Sequence, residues 1–165
     1  MIKAIAAINN KGYLGKDGKM MWRSSEDFKH FKNITMGGIL IVGRKTFEID
    51  LRGKTLPGRT TIVVGSGHNT LGEALQQACA LKAENDKLAS TDKALEEKLF
   101  GESEVPVQEQ HIWVIGGKSI YDQMAPLVDE LHLSYINDDQ DGDTSFDPMI
   151  WSRSKLFKYY FDTNK

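Results

Sequence analysis

Short apolar runs that end on glycine or asparagine and hand over to helix-starting residues recur along this chain, and nothing else in it narrows the folding options so far. Met1 to Ile8 is such a run and ends in Asn9-Asn10-Lys11-Gly12. A strand without polar alternation is buried on both faces, the condition of central strands in a sheet covered on both sides. Ile39-Leu40-Ile41-Val42-Gly43 is a second buried strand, Thr60 to Val64 a third and Ile112-Trp113-Val114-Ile115-Gly116-Gly117 a fourth. Glu130 to Ile136 is a fifth, and Leu156 to Phe161 reads as a last strand. Helix signals lie between them. Ser24-Ser25-Glu26-Asp27 opens a helix in the capping-box manner, with Phe28, Phe31, Lys32 and Ile34 at near-helical spacing and Gly37-Gly38 as the stop. Arg44-Lys45-Thr46-Phe47 begins a short helix, and Lys118 to Met124 forms another. Thr70 to Phe100 is helical in character: Leu71, Ala74, Leu75 and Ala78 make one apolar stripe, and Ala94, Leu95 and Leu99 make another after a Ser90-Thr91-Asp92 cap. Strands alternating with helices predict an α/β fold, with a mostly parallel central sheet flanked by helices, right-handed crossovers and one domain over residues 1–165.

Asn9 to Arg23 carries Gly12, Gly15 and Gly18 and no helical period, so it reads as a long, mobile loop, and such loops in compact domains are usually functional. Leu56-Pro57-Gly58-Arg59 is a turn, Gly101 to Gln110 a polar loop and Asn137 to Asp143 an acidic one. With 40% hydrophobic and 27% charged residues the composition is that of a globular chain. A net charge of −2 predicts no general affinity for nucleic acid or acidic membranes, so an anionic ligand must be held by locally placed basic groups. The longest apolar run, Ile39 to Val42, is too short to span a bilayer, and no secretory leader is visible. Cys79 is the only cysteine, which suits a reducing compartment; it reads as a small packed hydrophobe beside the first stripe, and Trp113 reads as core. The expectation is a cytoplasmic protein, monomeric by default. His30, His68, His111 and His132 show no metal-ligand spacing, and no serine sits in a nucleophile elbow.

Two readings of Asp27 stand side by side. An acid in the first turn of a helix favours the helix dipole and completes the Ser24 capping box. It also shares a helix face with Phe31, and a carboxylate beside an aromatic wall suits a planar amidine-like ligand held through two parallel hydrogen bonds. Val42-Gly43-Arg44-Lys45-Thr46 places a glycine, a guanidinium and a hydroxyl where a strand becomes a helix. Phosphates collect at such junctions, but a solvated basic helix start reads the same way. Ile115-Gly116-Gly117-Lys118-Ser119 repeats the architecture, and the paired glycines permit close backbone approach to a ligand. Neither junction is a GxGxxG motif, so a Rossmann dinucleotide fold is not supported. Two such junctions suggest two phosphate groups of one extended cofactor.

Taken in order, these segments resemble the dihydrofolate reductase family. The resemblance runs through Met1-Ile2-Lys3-Ala4-Ile5-Ala6-Ala7-Ile8, Gly15, Met20-Met21-Trp22, Asp27 and Phe31-Lys32. It continues with Gly43-Arg44-Lys45-Thr46-Phe47-Glu48, Leu56-Pro57-Gly58-Arg59, Val114-Ile115-Gly116-Gly117, Tyr121 and Gly142-Asp143-Thr144. It covers most of residues 1–65 and 111–151. The resemblance implies NADPH-dependent reduction of 7,8-dihydrofolate to 5,6,7,8-tetrahydrofolate, with hydride transfer to pterin C6 and a proton delivered to N5. It implies that Asp27, with Trp22 and Met20, forms the catalytic group. Ile5, Ala6, Phe28, Phe31, Lys32, Leu56, Ile115 and Tyr121 would surround the substrate, Ser134 would support the acid, and Arg59 would pair with the glutamate tail. Ala7, Leu14, Gly15, Gly18, Gly43, Arg44, Lys45, Thr46, Ser66, Gly116, Gly117, Lys118, Ser119, Ile120, Tyr121 and Thr144 would hold the cofactor, with Arg44 reading its 2′-phosphate. A cis Gly116–Gly117 peptide is implied as well.

The chain also departs from the family pattern. Met21 replaces the usual proline before the tryptophan, which predicts a looser loop. Ser134 stands in place of a threonine, and Ser119 in place of a second phosphate-binding arginine, with Lys118 able to compensate. Residues 67 to 110 match poorly and look expanded by a helix. The family usually adds one strand beyond the point where this chain stops, so Leu156 to Phe161 is expected to take that strand's place. It would lie antiparallel to Leu131–Ile136, with Phe157, Tyr159 and Phe161 on one face and Lys158 and Tyr160 on the other. Rival readings are a pyrimidine reductase of riboflavin synthesis, which would not need Trp22, Asp27 and Arg59 together, and a non-catalytic relative of the fold.

Overall fold

The computed structural model describes residues 1–101 and 110–163. The strands are β1 (Ile2–Asn9), β2 (Tyr13–Gly15), β3 (Ile39–Gly43), β4 (Thr60–Val64), β5 (Ile112–Val114), β6 (Glu130–Asn137), β7 (Thr144–Ser145) and β8 (Lys155–Asp162). The helices are α1 (Ser25–Thr35), α2 (Arg44–Ile49), α3 (Leu71–Phe100) and α4 (Lys118–Met124), with short 3-10 turns at Ala125–Leu127 and Pro148–Trp151. Six strands form one sheet in the order β4-β3-β5-β1-β6-β8, and every pairing in it is parallel. β2 and β7 form a separate antiparallel pair. The expected polar loop at 101–110 falls mostly outside the described residues.

Burial explains why the central strands carry no polar alternation. Ala4, Ala6 and Ile8 of β1, Ile39 and Ile41 of β3, and Ile112 and Val114 of β5 face a core shared with Ala74 and Ala78 of α3 and Met124 of α4. The residues between them, Ile5, Leu40 and Trp113, face the other way and pack with Phe31 and Ile34 of α1 and with Leu56 and Ile115. Both faces of the same strands are therefore apolar. Trp113 is 2% exposed at the centre of the smaller cluster, and Trp113→Ala should cost about 3–5 kcal/mol in a urea unfolding measurement. A loss below 1 kcal/mol would show that this face does not carry the sheet.

Three expectations are corrected. First, Thr70 to Phe100 is one helix and not two. Thr70 and Glu73 form the capping box, and Thr91 spends its hydroxyl on the Lys87 carbonyl one turn back (3.0 Å) instead of starting a new helix. Leu95 and Leu99 accordingly lie 55% and 64% exposed, and no second buried stripe forms. Second, Cys79 is exposed. Third, β8 pairs with β6 as expected but runs parallel to it. Residues 138–154 are long enough for a crossover: the chain leaves the end of β6, passes through β7 and the Pro148–Trp151 turn, and returns to the strand's start. There the Lys155 N–H donates to the Asp129 carbonyl (2.9 Å) and the Ser154 hydroxyl to the Val128 carbonyl (2.7 Å), which sets the direction. The face assignment survives the reversal. Phe157 stacks on His132 at 4.6 Å, and Tyr160 stacks on Tyr135 from the opposite side at 5.2 Å.

Candidate active site

At the carboxyl ends of β1, β3, β4 and β5 lies a cavity of about 930 Å³, where open α/β sheets place their ligands. Its walls come from strand-to-helix junctions. Gly43, Arg44, Lys45 and Thr46 line it where β3 becomes α2, and Ile115, Gly117, Lys118, Ser119, Ile120 and Tyr121 where β5 becomes α4. Ala7 of β1, Ser66 after β4, Thr144 of β7, and Leu14, Gly15, Gly18 and Met20 of the first loop complete the expected lining. Gly116 does not line it. Its carbonyl instead accepts the Gly43 N–H (2.7 Å), which ties the two junctions together, and the Gly116–Gly117 peptide is cis, as expected. A Cβ added to Gly117 would sit 2.9 Å from Thr46 Oγ1, so the absence of a side chain keeps this wall open.

The substrate-side residues form a second limb on the α1 face. Ile5, Phe31, Leu56 and Ile115 pack together there; Ala6, expected beside them, is buried on the opposite face of β1 in the core shared with α3 and α4, and Phe28 and Lys32 are exposed on α1. Ile115 also lines the cavity, so the limbs meet at it, and Tyr121 joins them by donating its hydroxyl to the Ile5 carbonyl (2.6 Å). Burial holds the Tyr121 hydroxyl far above the usual phenol range, aided by the Asp50 and Asp27 charges. Asp27 is 8% exposed in the first turn of α1. Its N–H donates to Ser24 Oγ (3.3 Å), but no reciprocal carboxylate bond closes the capping box. The carboxyl group faces Ser134 of β6 instead. Burial pushes its pKa up, and Ser134 and the His30 charge pull it back. Trp22 Nε1 is buried with open hydrogen-bonding capacity. Arg59 lies over the Phe31 ring at 6.0 Å and donates to the Pro57 carbonyl (3.0 Å) and Thr35 Oγ1 (3.3 Å), so the described residues give it no carboxylate partner.

A family model described as dihydrofolate reductase matches residues 1–163. The chain belongs to the dihydrofolate reductase family. It is 32% identical over 146 residues to dihydrofolate reductase type 3 of Salmonella typhimurium, covering 88% of this chain and 78% of that one. It is 34% identical over 155 residues to dihydrofolate reductase type 9 of Escherichia coli, covering 94% and 81%. Among solved structures, the dihydrofolate reductase from Enterococcus faecalis complexed with NADP(H) and RAB-propyl superposes with a TM-score of 0.66 at 28% identity, covering 92% of this chain and 80% of that one.

Within this family member, further residues line the cavity that the sequence did not assign to the site: Lys19, Asp50, Val64, Gly65, Gln123 and Asp143. Asp50 matters most, because it brings an acid to the cavity itself, whereas Asp27 belongs to α1. Burial pushes the Asp50 carboxyl up as well, against the Met20 N–H and the Lys19 charge. The first loop is tied down across the cavity mouth. Asp143 accepts the Asp17 N–H (2.9 Å), its own N–H donates to the Gly15 carbonyl (3.1 Å), and Gln140 donates to the Met21 carbonyl (3.0 Å). The loosening expected from Met21 is thus opposed by bonds from the β6–β8 crossover.

Proposed function

We propose that this protein reduces 7,8-dihydrofolate to 5,6,7,8-tetrahydrofolate at the expense of NADPH, acting as a single domain over residues 1–165 and as a cytoplasmic monomer. The six-stranded sheet running from β1 to β8 supports the one-domain reading. The single observation that carries the reaction is a buried carboxyl on α1 whose charge reaches Tyr121, a residue of the cavity walled by basic and hydroxyl groups.

The residues present fit the cofactor. Arg44, Lys45 and Lys118 supply positive charge, Thr46, Ser66 and Ser119 supply hydroxyls, and Gly117 leaves room for close backbone approach. When bound, the cofactor supplies the hydride that reaches pterin C6. Asp27 accepts paired hydrogen bonds from the pterin amino group and ring nitrogen, the strong planar geometry of a carboxylate with an amidine. Burial raises its pKa, which brings the group closer to the range in which an acid takes part in delivering a proton to N5. Ile5, Phe31 and Leu56 exclude water and hold the ring in register, while Arg59 takes the tail carboxylate.

Absorbance at the NADPH band, followed with and without dihydrofolate, tests the reading. Decay that requires dihydrofolate is expected; decay driven instead by an aminopyrimidine of riboflavin synthesis, or none at all, would overturn it. Gly117→Ala should weaken NADPH binding by roughly 2- to 13-fold, the worth of about one hydrogen bond, because the added methyl displaces the Thr46 hydroxyl from the cavity wall. Fluorescence titration measures this, and unchanged affinity would show that the Gly117 wall is not part of the cofactor site.

A further inference from the structure

Asn9, the last residue of β1, is 2% exposed and lies outside the lining of the cavity described above. Every hydrogen-bonding position of its side chain is nevertheless filled. Its Oδ1 accepts the N–H groups of Lys11 (3.1 Å) and Tyr13 (3.0 Å), at the start of the first loop. Its Nδ2 donates to the Asp138 carboxylate (3.1 Å) and to the Gln140 carbonyl (2.7 Å), just beyond β6. A side-chain amide offers two donors and two lone pairs, so none is left over. The backbone repeats the tie, since the Asn10 N–H donates to the Asp138 carbonyl (3.0 Å). Gln140 then holds the far end of the loop. Its Nε2 donates to the Met21 carbonyl (3.0 Å) and is steered by Asp138 Oδ1 (2.8 Å). The loop therefore leaves and returns at one place, residues 138–140, and is closed at its neck. The bonds of Asp143 hold it farther along, at Gly15 and Asp17.

We propose that Asn9 is a positioning residue for the cofactor site: its buried amide clamps the neck of the first loop and, through Gln140, fixes where Met20 stands at the cavity wall. The proposal rests on the reading of that cavity as the NADPH site. Met20 lines the cavity, and Met21, the residue that Gln140 grips, is its neighbour in the chain. A loop held only along its middle can swing about both ends, whereas a loop with its neck shut keeps its wall in register. The chemistry asks for asparagine. Aspartate has the same shape and keeps both acceptor bonds, but it turns the two donors into an oxygen that faces a carboxylate and a carbonyl. Alanine strands the Lys11 and Tyr13 N–H groups as well.

Two variants of the full-length protein separate the clamp from its arm. Asn9→Asp cuts both bonds to residues 138–140 and spares those to Lys11 and Tyr13. Gln140→Ala, at an exposed position, keeps the backbone carbonyl that Asn9 uses and cuts only the arm to Met21. In the ligand-free protein the Met20 methyl resonance is expected to move in both variants. Stopped-flow release of NADPH should quicken by roughly 2- to 13-fold in Gln140→Ala, the worth of one hydrogen bond, and by a larger factor in Asn9→Asp. The double variant should release NADPH no faster than Asn9→Asp alone, because the arm acts through the clamp. Two effects that simply multiply overturn the proposal. So does an Asn9→Asp protein with a lower urea midpoint but an unchanged Met20 resonance and release rate, since the amide would then hold the fold and not the loop. If Asn9→Asp fails to fold, Gln140→Ala decides alone, and an unchanged resonance and release rate there overturn the proposal. A Met20 resonance that responds in a protein unable to bind NADPH supports the clamp and removes only the reading of the cavity.

Discussion

Asp27→Asn is expected to lower turnover at neutral pH by roughly 10²- to 10⁴-fold, the range that a positioned acid–base group contributes, while NADPH binding stays nearly unchanged. The asymmetry follows from where the residue lies: Asp27 belongs to the α1 limb and does not line the cavity between α2 and α4. The same substitution should stabilise the fold at neutral pH. Burial raises the folded pKa of Asp27 above its ordinary carboxylate value. The folded state therefore holds the proton more tightly, and the resulting stability is present below the ordinary carboxylate range and is lost as pH rises through the raised value. Asparagine imitates the protonated form. Urea midpoints should favour the variant at neutral pH, and the gap should close on acidification. Turnover within a few-fold of wild type would remove Asp27 from the chemistry; a variant less stable at neutral pH would contradict the desolvation argument.

Arg44→Leu should weaken NADPH binding by roughly 10- to 150-fold, the equivalent of the 1.5–3 kcal/mol of a charge-assisted hydrogen bond. Binding of NADH should barely change, because it lacks the 2′-phosphate. Arg44 is available for that role: its side chain is 35% exposed at the cavity wall, and its ion pair with Glu48 (3.3 Å) is a surface contact of small worth. The stem of Arg44 lies where a Cβ on Gly65 would fall, 2.9 Å from Arg44 Cβ, so leucine can retain part of that packing. The measurement is a pair of binding titrations, one per cofactor. Equal losses for both would show that Arg44 acts on the shared part of the dinucleotide.

The buried strands were legible because burial on two faces leaves its mark on every residue. β3 and β4 occupy the expected residues, and so does α4, whose start is marked by paired glycines. The direction of β8 was not legible. It depends on where residues 138–154 travel, and their polar, turn-rich composition is compatible with a hairpin or a crossover. The continuity of α3 was hidden because Ser90, Thr91 and Asp92 favour a cap locally, while Thr91 can also satisfy its hydroxyl within a helix. The cavity lining was read from ordered motifs at the strand ends, which is why those motifs pointed to it. Asp50 follows a short helix in a stretch of mixed charge with no pattern of its own, and only the fold brings it beside Met20. His30 was visible as a histidine, but its ring neighbours Tyr159 and Phe161 come from a strand far along the chain.

An all-parallel sheet also has a consequence for synthesis. No strand of the main sheet can pair with its neighbour in sequence through a tight turn, and β1 finds its partners only in β5, where Ile2 meets Ile112, and in β6, where Lys3 meets Glu130. At roughly 5–20 residues per second, the apolar first strand leaves the ribosome several seconds to about twenty seconds before either partner does. Through that interval its edges are open, and loop closure over such distances is slow in any case. The nascent chain is therefore most vulnerable to misassociation at β1, and a holding factor that covers residues 2–9 would raise the yield without altering the finished molecule.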